Sequence, residues 1–236
     1  MGIDEVLHGF PRGAITEIHG ALSSGRASLM LSALAAAMAQ EEICALIDCN
    51  DTFDLSSAMN AGIDLNRLLW IRCSHNLERA FKAVDLILHA GGFGFIALNL
   101  CDVPVKAVRR IISSWWFRFR RAIENTPTAL IVLTPIAVVR SCATLVLELE
   151  RKESVWPSTL SLVSENRNSQ FTDPTERNDR LSLVTPCRAS TDLMSQPHVR
   201  FLYGTVIQVN KQRPVEWQPE AVTFFPQRHR ATCQIR

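Results

Sequence analysis

The sequence predicts an α/β protein, a mostly parallel sheet flanked by helices and followed by a C-terminal antiparallel extension. Three observations predict it. Short apolar runs alternate with longer stretches of helical periodicity between residues 14 and 133; the runs end in polar clusters; and beyond residue 134 strand-like runs follow one another with no helix between them.

The elements follow in order. Residues 14–19 read as a strand that runs straight into a loop beginning at Gly20, and residues 24–40, rich in Ala, Leu and Met, read as a helix. Residues 43–48 are continuously apolar until Asp48-Cys49-Asn50-Asp51, the pattern of a buried parallel strand at its carboxyl end. A third strand is expected over 68–73, a helix over 75–89 and a fourth strand over 93–100. Residues 104–123 read as one helix, opened by Pro104 at a favoured first-turn position, and 128–134 as a fifth strand. Residues 144–150, 160–163, 201–209 and 222–225 then read as strands of the antiparallel extension. Residues 165–197 are dominated by Ser, Thr, Asn, Asp and Arg, as in a loop or insertion. The whole is expected to be one domain over 1–236, with its core at 7–150, the polar insertion at 165–197 and terminal strands at 201–226.

With 236 residues, 47% of them apolar, the chain can bury a substantial core. A net charge of +2 from 25 basic and 23 acidic residues demands neither nucleic acid nor an anionic membrane, so any such surface is a local patch. Seven scattered cysteines, several inside apolar runs and none in C-x-x-C spacing, point to reduced thiols and a cytoplasmic location. The first residues are polar and no apolar run approaches about 18 residues, so neither a signal peptide nor a membrane span is expected. The six histidines are dispersed and no zinc-type spacing occurs, so no metal site is expected.

The segment Gly20-Ala21-Leu22-Ser23-Ser24-Gly25-Arg26-Ala27-Ser28 carries the frame of a phosphate-binding loop. In the pattern G-x-x-x-x-G-K-[ST], backbone N–H groups cradle phosphates, the Lys reaches the terminal phosphates and the hydroxyl holds Mg²⁺. Both glycines are in register here, but Arg26 stands at the Lys position and Ala27 at the hydroxyl position. Ligands of open α/β sheets bind beyond the carboxyl ends of strands, which directs attention to the loop and to residues 48–51, 72–75 and 99–102.

Three segments then arrive in order: Gly9-Phe10-Pro11-Arg12-Gly13-Ala14-Ile15-Thr16-Glu17-Ile18-His19-Gly20 with Ser23-Ser24-Gly25, then Ala45-Leu46-Ile47-Asp48, then Ala61-Gly62-Ile63-Asp64-Leu65-Asn66-Arg67-Leu68-Leu69. Over residues 7–150 the chain resembles the ATPase core of the RecA recombinases, and most resembles the shortened ImuA-like accessories of damage-induced mutagenesis. The resemblance implies a RecA-like fold and a place in DNA repair. It also matches the activating acid of the family to Asn50, with Asp51 beside it, and the metal-linked acid to Asn99, with Asp102 three residues on. Phosphoryl transfer relies on positioning and on charge neutralisation by metal and cation. With Arg26, Ala27, Asn50 and Asn99 at those positions, no catalytic residue and no cofactor is expected; the alternatives for Gly20, Ser23, Ser24, Gly25, Arg26, Ala27 and Ser28 are a weak, degenerate nucleotide site held by backbone N–H groups and, as the simplest reading, inherited architecture.

Residues 104–123 also hold a basic, aromatic concentration. At about 100° per residue, Val105, Val108, Ile112, Trp115, Trp116, Phe119 and Ile123 share one face, while Lys106, Arg109, Arg110, Arg120 and Arg121 cluster opposite with Phe117 among them. The apolar face is expected to be core. The basic face is either a solvated helix back or a docking surface for an acidic partner or single-stranded DNA. The resemblance implies a recombinase and a translesion polymerase or its accessory subunit as partners. The expected function is therefore a non-catalytic RecA-like scaffold. The alternatives are a divergent DNA-stimulated ATPase using Arg26, Asp51 and Asp102, and an inhibitor of a polymerising partner.

Overall fold

The computed structural model describes residues 10–155, 204–213 and 220–224. They form an eight-stranded sheet in the order β3-β2-β4-β5-β1-β6-β7-β8. The strands are β1 (Ala14–Gly20), β2 (Cys44–Asp48), β3 (Leu68–Arg72), β4 (Phe95–Asn99), β5 (Ala129–Thr134), β6 (Leu145–Val155), β7 (Gly204–Arg213) and β8 (Glu220–Phe224). Strands β1 to β6 pair in parallel, and β7 and β8 join antiparallel. The helices are α1 (Arg26–Ala39), α2 (Leu55–Asn60), α3 (Leu77–Ala90), the short α4 (Val105–Val108) and α5 (Ser113–Ile123).

Two cores sandwich the sheet. One gathers Leu29, Leu34 and Met38 of α1 against Ile18, Leu46, Ile131, Leu147 and Ile207. The other sets α3 and α5 against the opposite side chains of the same strands, including Ile15, Ile47, Leu98 and Val132. Its centre is aromatic: Phe81 meets Trp115, Trp116 and Phe119 at centroid distances of 5.6, 5.0 and 5.6 Å. Burial on both faces is why β2, β4 and β5 are apolar up to their last residues, with no alternation to betray one solvated face.

Local signals set the element ends. Asp54 caps α2 by accepting from the Ser57 N–H at 2.7 Å, and Asn76 caps α3 by accepting from the Arg79 N–H at 3.0 Å. In the Ala61-Gly62-Ile63-Asp64 element, Gly62 at φ 84° turns the chain out of α2, Ile63 is buried, and Asp64 accepts from the Asn66 N–H to start the turn into β3.

Two expectations are corrected. Residues 104–123 form two helices, not one. Ile112 adopts φ −72° and ψ 128°, which cuts α4 from α5. The break lets Ile111 reach the core beside Trp115, while Ile112 is 67% exposed and so does not share the apolar face. The stretch at 144–150 belongs to β6, which runs parallel to β1 and not antiparallel. The crossover over 135–144 returns the chain along the sheet without an α-helix. Val139, Cys142 and Ala143 are buried along it, and the Thr144 N–H donates to Ile15 O at 2.9 Å. The antiparallel part of the sheet begins at β7. The expected strand at 160–163 and the polar segment 165–197 lie outside the described residues.

Among the described cysteines, Cys44, Cys49, Cys73 and Cys142 are buried and free, and Cys101 is partly buried and free. No helix among the described residues is long and apolar enough to cross a membrane.

Candidate functional site, the loop at the carboxyl ends of the strands

The parallel strands deliver the sequence-singled residues to one rim of the sheet. Asp48 pairs in register with Asn99, Asn99 with Leu133, and His19 with Thr134, so the ends of β1, β2, β4 and β5 lie side by side. The loop from Gly20 to Gly25 leaves β1 at this rim and enters α1.

Each glycine of the loop has a steric reason of its own. A Cβ on Gly20 would stand 2.3 Å from Leu149 O of β6 and 2.7 Å from Ser24 Oγ. Gly25 has φ 89°, and a Cβ there would stand 1.8 Å from Cδ1 of Ile207 on β7. The antiparallel extension therefore packs against the loop, and the glycines serve that packing whether or not a phosphate is bound.

The Arg26 side chain is committed as well. Arg26, the first residue of α1, is only 4% exposed, and its Nη1 donates to Thr134 O at the end of β5 at 2.6 Å. The guanidinium thus turns into the protein, across the loop toward β5, and sits near enough to Cys101 to oppose the burial that pushes that thiol up to about 11. Ala27 and Ser28 are exposed on the first turn, and Ser23 is exposed at φ 60°. Ser24 Oγ is buried and has no hydrogen-bond partner among the described residues.

The acidic corners are tied down as well. Asn99 Nδ2 donates to Asp48 Oδ1 at 3.2 Å and to Thr52 Oγ1 at 3.3 Å, while its Oδ1 accepts from the Cys101 N–H. The buried Asp48 also accepts from the Phe53 N–H at 2.8 Å. Asn50 Nδ2 donates to the backbone carbonyl of Asp102 at 2.9 Å. Asp51, at φ 57°, accepts from Arg72 Nη2 and from the Ser74 N–H, both at 3.3 Å. Asp51 is therefore held toward β3, and no described contact joins it to Arg26. Among the described residues no group of three His, Cys, Asp or Glu side chains could hold a metal ion.

The RecA N-terminal domain family profile matches residues 1–107. Protein RecA of Chlorobaculum parvum is 36% identical over 101 residues, which cover 42% of this chain and 29% of that protein. Protein RecA of Wigglesworthia glossinidia brevipalpis is 30% identical over 146 residues, 55% of this chain and 43% of that protein. The core of this chain is RecA-like. It spans less than half the length of each of these relatives.

Two features of the RecA-like core escaped sequence reasoning. Glu17 on β1 is fully buried; its Oε1 accepts from the N–H groups of Val138 and Val139 and from Thr134 Oγ1, while its Oε2 has no partner among the described residues. Burial pushes its carboxyl up, against those N–H groups and the nearby His19, which pull it down. A lone acid in a buried-strand pattern, between Ile15 and Ile18, was the available signal. The second is Thr134, whose carbonyl receives Arg26; a polar end to an apolar strand gives no hint of that partner.

The basic concentration divides at the helix break. Lys106, Arg109 and Arg110 lie on α4 and the turn after it, all exposed. On α5, Phe117 is 56% exposed and Arg121 is exposed, but Arg120 donates to Ser141 O at 3.3 Å. Arg118 makes a bidentate pair with Asp85 of α3, both bonds 2.6 Å.

Proposed function

We propose that this chain is a non-catalytic RecA-like scaffold that works in DNA repair or damage-induced mutagenesis by binding other macromolecules, as the ImuA-like accessories it resembles are expected to do. The observation that carries the reading is the buried Arg26 guanidinium bonded to Thr134 O. In a working loop the cation must face the phosphates, and the next residue must offer a metal-binding hydroxyl. Here the cation faces a backbone carbonyl and the next residue is Ala27. Asn50, Asn99 and Asp51 are committed to structural bonds, and of Asp102 only the backbone carbonyl is engaged, its side chain lying exposed at the rim. The kinship with protein RecA supports the process, and a recombinase, a translesion polymerase or its accessory subunit, and single-stranded DNA are the partners it suggests.

Steady-state phosphate release from ATP, with and without single-stranded DNA, tests the reading. The expected rate is that of buffer alone. Turnover that vanishes with Asp51→Ala would instead establish the divergent ATPase.

A further inference from the structure

The break between α4 and α5 opens a groove of about 310 Å³ against the N-terminal turn of α3. Leu77, Phe81, Ala107, Ile111, Ile112 and Trp115 line it, and its charged residues are Arg110 and Glu78. Glu78 is already matched by Lys82 at 2.7 Å, whereas the Arg110 side chain makes no hydrogen bond or ion pair among the described residues, nor do the side chains of Lys106 and Arg109 near it in the chain. An apolar floor with an isoleucine 67% exposed and an unmatched Arg110 in its lining, with exposed Lys106 and Arg109 on the same short stretch of chain, is an unsatisfied surface in both of its chemistries.

Resting on the scaffold reading above, we propose that this groove binds an acidic peptide segment of a partner protein, with aliphatic side chains of the segment seated on Ile111, Ile112 and Leu77 and its carboxylates facing Lys106, Arg109 and Arg110. The size, near the lower end of the range of about 300–1,000 Å³ for ligand pockets, suits two or three side chains of a helix or strand. The lining favours peptide over single-stranded DNA. Bases stack on exposed aromatic faces, but the floor is mostly aliphatic, and Phe117, the exposed aromatic of α5, is not part of it. The helix break explains why the surface exists. A continuous helix would have carried Ile111 and Ile112 round separate faces; the extended Ile112 presents its side chain at the groove instead.

Selection from a random peptide library displayed on phage, with the full chain as bait, tests the proposal. Enriched sequences should carry Asp or Glu beside Leu, Ile or Phe. A fluorescein-labelled copy of an enriched peptide should lose affinity by about tenfold or more on Ile112→Glu and on Arg110→Glu, as expected for residues central to a contact. Both side chains are exposed, so circular dichroism should report an intact fold, and Phe117→Ser should bind the peptide as the unaltered chain does. The proposal is overturned if nothing enriches, if the enriched peptides lack acidic residues or bind Ile112→Glu undiminished, or if oligothymidylate is the probe whose affinity depends on Ile112. ATP turnover with peptide binding intact would remove the non-catalytic reading alone; absent turnover with no Ile112-dependent peptide would remove the groove alone.

Discussion

Replacing Arg26 by Ala separates two roles that a cation in a phosphate loop can have. If Arg26 served phosphate, it would face solvent in the nucleotide-free protein, and its loss would leave the stability of that state unchanged. In the structure it is 4% exposed and bonded at 2.6 Å to Thr134 O. Hydrogen bonds to charged groups contribute about 1.5–3 kcal/mol, and loss of the buried stem adds to that, so Arg26→Ala should cost about 2–3 kcal/mol. For a chain of this size that is a fall in Tm of about 4–12 °C. Differential scanning calorimetry of the nucleotide-free protein measures it directly. An unchanged Tm, coupled with loss of an ATP-induced rise present in the unaltered chain, would refute the reasoning and return Arg26 to the phosphates.

Two further substitutions probe the same rim. Gly25→Ala meets both a left-handed backbone and Ile207 and should cost about 2–4 kcal/mol, whereas Gly91→Ala, at φ 68° with nothing within 4 Å of a new Cβ, should cost about 1–2 kcal/mol. Urea denaturation of the pair isolates the contact between the loop and β7; equal losses would mean that Ile207 does not press on the loop. Glu17, raised above its ordinary 4.5 chiefly by burial, takes up a proton on folding, so the folded protein binds more protons than the unfolded chain between 4.5 and the raised value. Its contribution to stability is therefore greatest below 4.5 and is lost as pH rises through the folded value. Glu17→Gln should flatten that part of the stability–pH curve and be neutral or stabilising near pH 7, read from urea midpoints; an unaltered curve would show that Glu17 does not titrate there.

Much of the sheet was legible because its strands are buried on both faces. The runs ending at Asp48, Asn99 and Thr134 can be read as buried strands from composition alone. The parallel direction of β6 was not legible, since parallel crossovers ordinarily contain a helix and this one has only a 3₁₀ turn at Arg140–Cys142. The break at Ile112 was hidden because Ile111-Ile112 fits helical periodicity as well as it fits an extended turn. At the site, the replaced residues Arg26, Ala27, Asn50 and Asn99 could be named from the sequence, but their partners could not. The carbonyl of Thr134 lies 108 positions from Arg26, and Ile207 reaches Gly25 from a strand whose role nothing in the loop announces.

On the function proposed above, the RecA-like loop does not take Mg²⁺ with a nucleotide. Thermal denaturation with ATP, with and without Mg²⁺, tests it most directly, because a ligand at about 100 times its Kd stabilises by about 2.7 kcal/mol. With Ala27 at the metal position and Arg26 bonded to Thr134 O, the predicted result is the same Tm in the presence and absence of Mg²⁺. A rise in Tm that requires both ATP and Mg²⁺ would instead mean that the loop holds a metal–nucleotide complex.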